Sequence, residues 1–283
     1  MSSSAITQDH IREYQENGVL FLKSILTQEW LDLIELGIRR NLNNPGPYAT
    51  RYFEGQPGEF YDDHCNYEAN PEYRLLLKIS PIADIMKALL QTQNLWLFYD
   101  QIFIKEGGYS ARTPWHQDTP YWLTEGSQLG SMWISLDPLT RDESLEVIPG
   151  SHRGPLYNAA IFDGNGAGTP WYDTDEMPML PDIEKERGKW TIRSWASDPG
   201  DVLILHPSLL HGGAQMREGG RRRTLSVRVF GDDAIYVKRP GKPAPHFPGL
   251  AETLRPGELL RHEYFPLLRE ASAPADMRLE AAA

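Results

Sequence analysis

His116 and Asp118, two positions apart in Trp115-His116-Gln117-Asp118, can bring an imidazole and a carboxylate to one cation. On an extended segment, side chains two residues apart project from the same face. Alone the pair is a weak signal, because with 8 histidines and 39 acidic residues in 283 positions about one such match arises by chance. It gains weight from Gly200-Asp201-Val202-Leu203-Ile204-Leu205-His206-Pro207 followed by His211-Gly212-Gly213. That run reads as a turn, an apolar strand and a second histidine, with glycines that let the backbone pass close to a bound small molecule. Two histidines and one carboxylate on one face, His116, Asp118 and His211, form a facial ligand set suited to non-haem iron(II). Such a set leaves positions open for a co-substrate and O₂.

Eleven residues past His211 stands Arg222, within Arg221-Arg222-Arg223-Thr224-Leu225-Ser226. A guanidinium there can grip a carboxylate through two parallel hydrogen bonds. An arginine triplet is otherwise a solvated patch, but this one runs into a strand-like segment. Alternation puts Arg222, Thr224 and Ser226 on one face, Arg221 and Arg223 on the other, and only one set can face the site.

Other residues carry plainer readings. His206 precedes His211 by five positions and reads as a packing residue. His152 reads as a scaffold residue bonded locally, His64 as a surface histidine in a polar loop. Gln117 points away from His116 by alternation. Trp115, Tyr121 and Trp122 flank the ligand pair and are candidate substrate contacts, with core packing as the other reading.

The elements that position these residues change character along the chain. Thr7 to Asn17 reads as a helix closed by Gly18, Val19 to Leu22 as a strand, and a second helix follows Thr27. Tyr48 opens an aromatic, acidic loop reaching about Tyr67, and a third helix spans Ile82 to Gln91. After residue 94 the texture is strand-like: Leu95–Lys105, Met132–Leu136, Leu145–Ile148, Val202–His206 and Thr224–Phe230. Helices first and strands later predict a helical support over 1–93 packed on a mainly antiparallel β core over 94–235. Residues 154–190, rich in Gly, Asp, Pro and aromatics, read as a lid or substrate loop. Residues 236–283 are a Pro-rich extension with a frayed alanine end, and the whole is expected to be one domain.

The formal net charge of −11 disfavours nucleic-acid and anionic-membrane partners, which select a basic face. Cys65 is the only cysteine, so neither an internal disulfide nor a cysteine metal cluster forms. The amino terminus lacks the pattern of a secretory signal, and no apolar run is long enough to span a membrane. A cytoplasmic location is the expectation.

Around these residues the chain resembles the phytanoyl-CoA dioxygenase family of 2-oxoglutarate-dependent oxygenases, over residues 10 to 235. The resemblance rests on His116-Gln117-Asp118 followed by Tyr121-Trp122, on Trp133-Ile134-Ser135-Leu136-Asp137 leading to Val147-Ile148-Pro149-Gly150-Ser151-His152, and on His206 to Gly212 with the arginine beyond. It implies a double-stranded β-helix, or jelly roll, with supporting N-terminal helices. It implies that His116, Asp118 and His211 bind iron(II), that Arg222 binds the distal carboxylate of 2-oxoglutarate, and that Lys105 lies on the site wall. Gly213 stands beside the co-substrate where many members carry Ser, and Asp142-Glu143 stands where many carry Asn-Gly. Related halogenases have Ala or Gly in place of the carboxylate ligand, so Asp118 favours oxygen chemistry. The implied function uses O₂ to hydroxylate, desaturate or cyclise an aliphatic C–H of a small metabolite, releasing succinate and CO₂. A non-catalytic jelly-roll binding protein and a zinc hydrolase on a similar scaffold are the alternatives.

Overall fold

The computed structural model describes residues 6–55, 58–106, 112–161, 170–213 and 215–271. Helix α1 (Gln8–Asn17) leads into β1 (Val19–Leu22), followed by α2 (Gln28–Asn43), β2 (Thr50–Tyr52), β3 (Phe60–His64), α3 (Pro71–Ile79), α4 (Ile82–Leu89) and β4 (Leu95–Glu106). Strands then dominate: β5 (Thr113–His116), β6 (Thr124–Glu125), β7 (Leu129–Ser135), β8 (Leu145–Val147), β9 (Val202–Leu205), β10 (His211–Gly213), β11 (Arg221–Phe230) and β12 (Ile235–Tyr236). A short helix α5 (Leu250–Thr253) and β13 (Leu267–Arg269) close the described chain.

The large antiparallel sheet runs β1-β9-β7-β11-β4-β3-β2, with β13 also on β4. A three-stranded sheet runs β5-β10-β8, and β12 pairs with β6. This mainly β architecture is a jelly roll. The first 93 residues supply more than helical support, since β1 extends one side of the large sheet while β2 and β3 extend the other.

Alternation within β11 divides the molecule. Leu225, Val227 and Val229 join the core formed with Ile34, Ile38, Leu76, Met86 and other helix residues. Arg222, Thr224, Ser226 and Arg228 face a cavity on the other side. Burial of the first set holds the helices to the sheet, and the same alternation forces the second set inward.

Local chemistry accounts for the helices. The Thr7 hydroxyl accepts from His10 N at 3.2 Å while the His10 ring returns to Thr7 N, a reciprocal cap. Gly18, at φ +70°, ends α1 in a left-handed conformation. Helix α3, not anticipated above, begins at Pro71 with Asn70 accepting from Tyr73 N, a cap followed by proline that favours helix initiation. The stretch from Tyr48 to Tyr67, read as loop, contains β3, which pairs with β4, and β2, which pairs with β3.

Of the expected lid, residues 162–169 lie outside the described set. The described remainder is irregular but packed, with Tyr172 and Ile183 buried and Ala160 bridging to Pro170. The alanine-rich end lies beyond residue 271, also outside the described residues. No helix among the described residues is long and apolar enough to cross a membrane.

Candidate metal centre

His116 ends β5 and His211 begins β10, and the two are direct partners in the antiparallel register. Their rings therefore lie side by side, with centroids 4.1 Å apart. Asp118 reaches them differently from the expectation. It lies past the end of β5 in a helical conformation, at φ −75° and ψ −38°, where it opens a 3₁₀ turn over Thr119–Tyr121. A turn, not strand alternation, aims its carboxylate. Asp118 N and Thr119 N both donate to Pro207 O, at 2.7 and 3.1 Å, fastening that turn to the segment before His211.

Asp118 Oδ1 stands 3.5 Å from His116 Nε2 and 3.8 Å from His211 Nε2. One ligand atom from each of the three residues lies within 4.8 Å of the others. His116 Nδ1 is 2.8 Å from Pro114 O, and His211 Nδ1 is 2.9 Å from Leu209 O. A carbonyl only accepts, so each Nδ1 carries the proton and each Nε2 keeps its lone pair for a metal. Burial, reinforced by neighbouring His116, pushes His211 down to about 4 and keeps it neutral. Burial alone would raise the Asp118 carboxyl, but the Arg228 guanidinium holds it below the ordinary carboxylate range. Two imidazole Nε2 atoms and one anionic oxygen converging on a point fit a divalent transition metal.

Beyond these ligands opens a cavity of about 370 Å³. On its far wall Arg222 and Lys105 are cross-strand partners on β11 and β4, exposed by only 4% each. Arg222 Nη1 donates to Glu143 O at 2.9 Å, its guanidinium carbon lies 5.9 Å from the Trp133 ring, and its Nε is buried without a hydrogen-bond partner. Burial and the Arg222 charge push Lys105 down to about 7. A guanidinium and an amine side by side on one wall of the cavity suit a carboxylate. Arg221 and Arg223 project to the opposite side, where both pair with Asp137, at 3.2 and 2.9 Å. Of the triplet, Arg222 alone faces the cavity.

Arg228 is not anticipated above, although it continues the alternation of Arg222, Thr224 and Ser226. It lines the cavity with Nε 3.5 Å from Asp118 Oδ2 and its guanidinium over the Tyr99 ring at 4.6 Å. The run Val-Arg-Val-Phe hides this residue inside what reads as an apolar core strand.

Several expectations need correction. Trp115 does not line the cavity. Alternation turns it away from His116, into Ile148, Ile183 and Leu210, with Nε1 donating to Glu184 at 2.7 Å. Gly213 is also behind the wall, at φ +78° beside Glu146. His64 is no surface residue; it sits on β3, lines the cavity and stacks on Tyr48 at 4.6 Å. His152 does not bond locally, since its Nε2 is 3.1 Å from Gln15 O in the last turn of α1, near the bond from Gly150 N to Asn17 O. The Pro-Gly-Ser-His run thus staples α1 to the barrel.

Tyr121 and Trp122 do line the cavity. Tyr121 O–H donates to Ala160 O at 2.5 Å, and Trp122 Nε1 donates to the Tyr99 hydroxyl at 3.0 Å. Gln117 faces away, bonded to Ser208 O at 2.8 Å. His206 packs between Tyr14 and His152, outside the ligand group.

A sequence model of the family described as Phytanoyl-CoA dioxygenase (PhyH) matches residues 14–224. A "Probable phytanoyl-CoA dioxygenase" of Caenorhabditis elegans is 24% identical over 270 residues, covering 84% of this chain and 80% of the relative. Among solved structures, the non-heme alpha ketoglutarate dependent carbocyclase SnoK from nogalamycin biosynthesis superposes with a TM-score of 0.71 at 20% identity, covering 94% of this chain and 98% of that one. EctD from S. alaskensis, solved with 2-oxoglutarate and 5-hydroxyectoine, has a TM-score of 0.68 at 20% identity, covering 96% and 89%. At these identities the structures show the shared fold.

Proposed function

The chain belongs to the phytanoyl-CoA dioxygenase family, and from that premise we propose that it is an iron(II)- and 2-oxoglutarate-dependent dioxygenase acting on an aliphatic C–H of a small molecule. Hydroxylation, desaturation and cyclisation use the same residues. The observation that carries the reading is the convergence of His116, Asp118 and His211 at one end of a cavity whose other end holds Arg222 and Lys105.

Iron(II), when bound, supplies the activation of O₂ that couples decarboxylation of 2-oxoglutarate to substrate oxidation. His116 and His211 present their Nε2 atoms because Pro114 O and Leu209 O engage their Nδ1 atoms. Asp118 adds one anionic oxygen. Arg222 grips the distal carboxylate of 2-oxoglutarate, and Lys105 lowers the cost of bringing that charge into a buried site. Orientation of Arg222 by Glu143 O fixes the direction of the grip before the ligand arrives. Tyr121, Trp122 and Trp133 wall the cavity and limit water.

The direct test is succinate release from 2-oxoglutarate in purified protein. The reading requires iron(II) and O₂ together for turnover, and loss of turnover in Arg222→Ala. Zinc-supported hydrolysis, or function indifferent to Arg222, would favour a hydrolase or a binding protein instead.

A further inference from the structure

Asp62 is the only carboxylate besides Asp118 among the described residues lining the cavity. It lies on β3 directly across from Phe103 on β4, with Phe60 and His64 two positions to either side on the same face. Gln101 Nε2 donates to its Oδ1 at 2.7 Å. Among the described residues it forms no ion pair with Lys, Arg or His; Arg228, the nearby guanidinium, is turned to Asp118. A carboxylate turned into a cavity without a direct ion-pair partner is costly to keep, and burial pushes its carboxyl up to about 6 even though the Gln101 hydrogen bond and the Arg228 charge act to lower it. An unbalanced polar group in a cleft marks a place where a ligand completes the bonding.

The surroundings define that ligand. Phe60 and Phe103 lie nearly parallel at 6.3 Å, and Tyr52 stacks on Phe60 at 5.3 Å, so the carboxylate sits at the edge of an aromatic wall. His64 stays neutral, pushed down to about 4 by burial and then by Arg228. Of the cavity's cations, Arg228 is turned to Asp118, Arg112 pairs with Glu146, Arg222 donates to Glu143 O, and Lys105 lies with its Nζ 5.2 Å from the centre of the Phe60 ring. Asp62 therefore offers an anionic acceptor beside aromatic faces.

On the oxygenase reading above, we propose that Asp62 is the substrate anchor: it accepts a hydrogen bond from a hydroxyl or ammonium group of a compact, otherwise apolar molecule whose body packs on Tyr52, Phe60 and Phe103. A carboxylate or phosphate head group is repelled at this position. Asp62 thereby sets which C–H faces the metal.

The test uses full-length protein loaded anaerobically with iron(II) and saturating 2-oxoglutarate, with cyclohexanol, cyclohexylammonium and cyclohexanecarboxylate as probes. Appearance of the visible charge-transfer band before any probe is added checks the oxygenase reading by itself. Probe binding, followed by the shift in that band, checks Asp62. The proposal predicts that the alcohol, the ammonium or both bind at least about tenfold more tightly than the carboxylate, and their order identifies the donor. In Asp62→Asn, whose fold is checked by circular dichroism, the preference should shrink or invert, because an amide can donate to a carboxylate. Equal or tighter binding of cyclohexanecarboxylate to the wild type, no binding of any probe to a chelate that has formed, or an unchanged order in Asp62→Asn would overturn it.

Discussion

Arg228 holds Asp118 from behind: its Nε lies 3.5 Å from Asp118 Oδ2, while Asp118 Oδ1 lies 3.5 Å from His116 Nε2. One carboxylate oxygen is thus turned to the ligand cluster and the other to a buried guanidinium. The aromatic face of Tyr99, 4.6 Å from the guanidinium carbon, keeps Arg228 in place. Replacing Arg228 with Met should weaken divalent metal binding by about 10–100-fold, the usual cost of losing a partner that orients a metal ligand. Arg228→Lys should recover part of it. Calorimetric titration of metal-free protein with cobalt(II) reads the effect, and an unchanged affinity would remove Arg228 from the metal's support.

Arg222→Ala should raise the KM for 2-oxoglutarate by about 100-fold, since the lost charge-assisted pair is worth roughly 2–4 kcal/mol in a desolvated site. Lys105→Met should do less, about tenfold, because Lys105 supplies charge without the planar fork. Arg221→Ala and Arg223→Ala should leave the KM within about twofold, as both side chains bind Asp137 on the other side of the sheet. Initial rates of succinate formation discriminate the three arginines. A large effect from Arg221 or Arg223 would contradict the assignment.

The staple at α1 should be sensitive to one methyl group. At Gly18, φ +70°, an added Cβ would stand 2.5 Å from His152 Nδ1. Gly18 O also accepts from His206 N at 2.8 Å, so the backbone has little freedom to retreat. Gly18→Ala should cost about 1–3 kcal/mol from left-handed strain and overlap, measurable by urea denaturation. A neutral result would show that the His152 ring moves aside freely.

Acidification should expose the cost of buried histidine. Burial pushes His206 down to about 4 from 6.5, so the unfolded chain takes up a proton below 6.5 that the folded chain refuses until about 4. Its contribution is present above 6.5 and is lost as pH falls through that window, by up to about 3 kcal/mol. Asp100, pushed up to about 6 by burial, acts in the opposite sense, adding stability as pH falls below 6. The two partly cancel in the wild type. His206→Gln removes the first, so its stability should fall less than that of the wild type between pH 7 and 4.5. Parallel curves for the two proteins would mean that His206 titrates normally in the fold.

What could be read in advance follows from how local each signal is. His116 and His211 are legible because metal-ligand types and glycine punctuation mark them, and Arg222 because a strand's period of two sorts it from its neighbours. The same period places Trp115 opposite His116 and Arg228 on the same face as Arg222, six residues further along β11. Asp118 reaches the ligand cluster through a turn fixed by Pro207 O, a contact between segments far apart in the chain. Asp62 and His64 read as a polar loop because a strand whose inner face is polar lacks the apolar alternation that identifies a strand. Their burial is imposed by β4 and by the closure of the barrel.

The central claim is that one metal and one 2-oxoglutarate bind together at His116, Asp118, His211 and Arg222. Anaerobic addition of iron(II) and then 2-oxoglutarate to the metal-free protein tests it most directly. The account predicts a weak visible charge-transfer band that saturates at one equivalent of iron and is absent in His211→Ala. Iron binding that leaves the spectrum unchanged by 2-oxoglutarate, or a band that persists in His211→Ala, would contradict it.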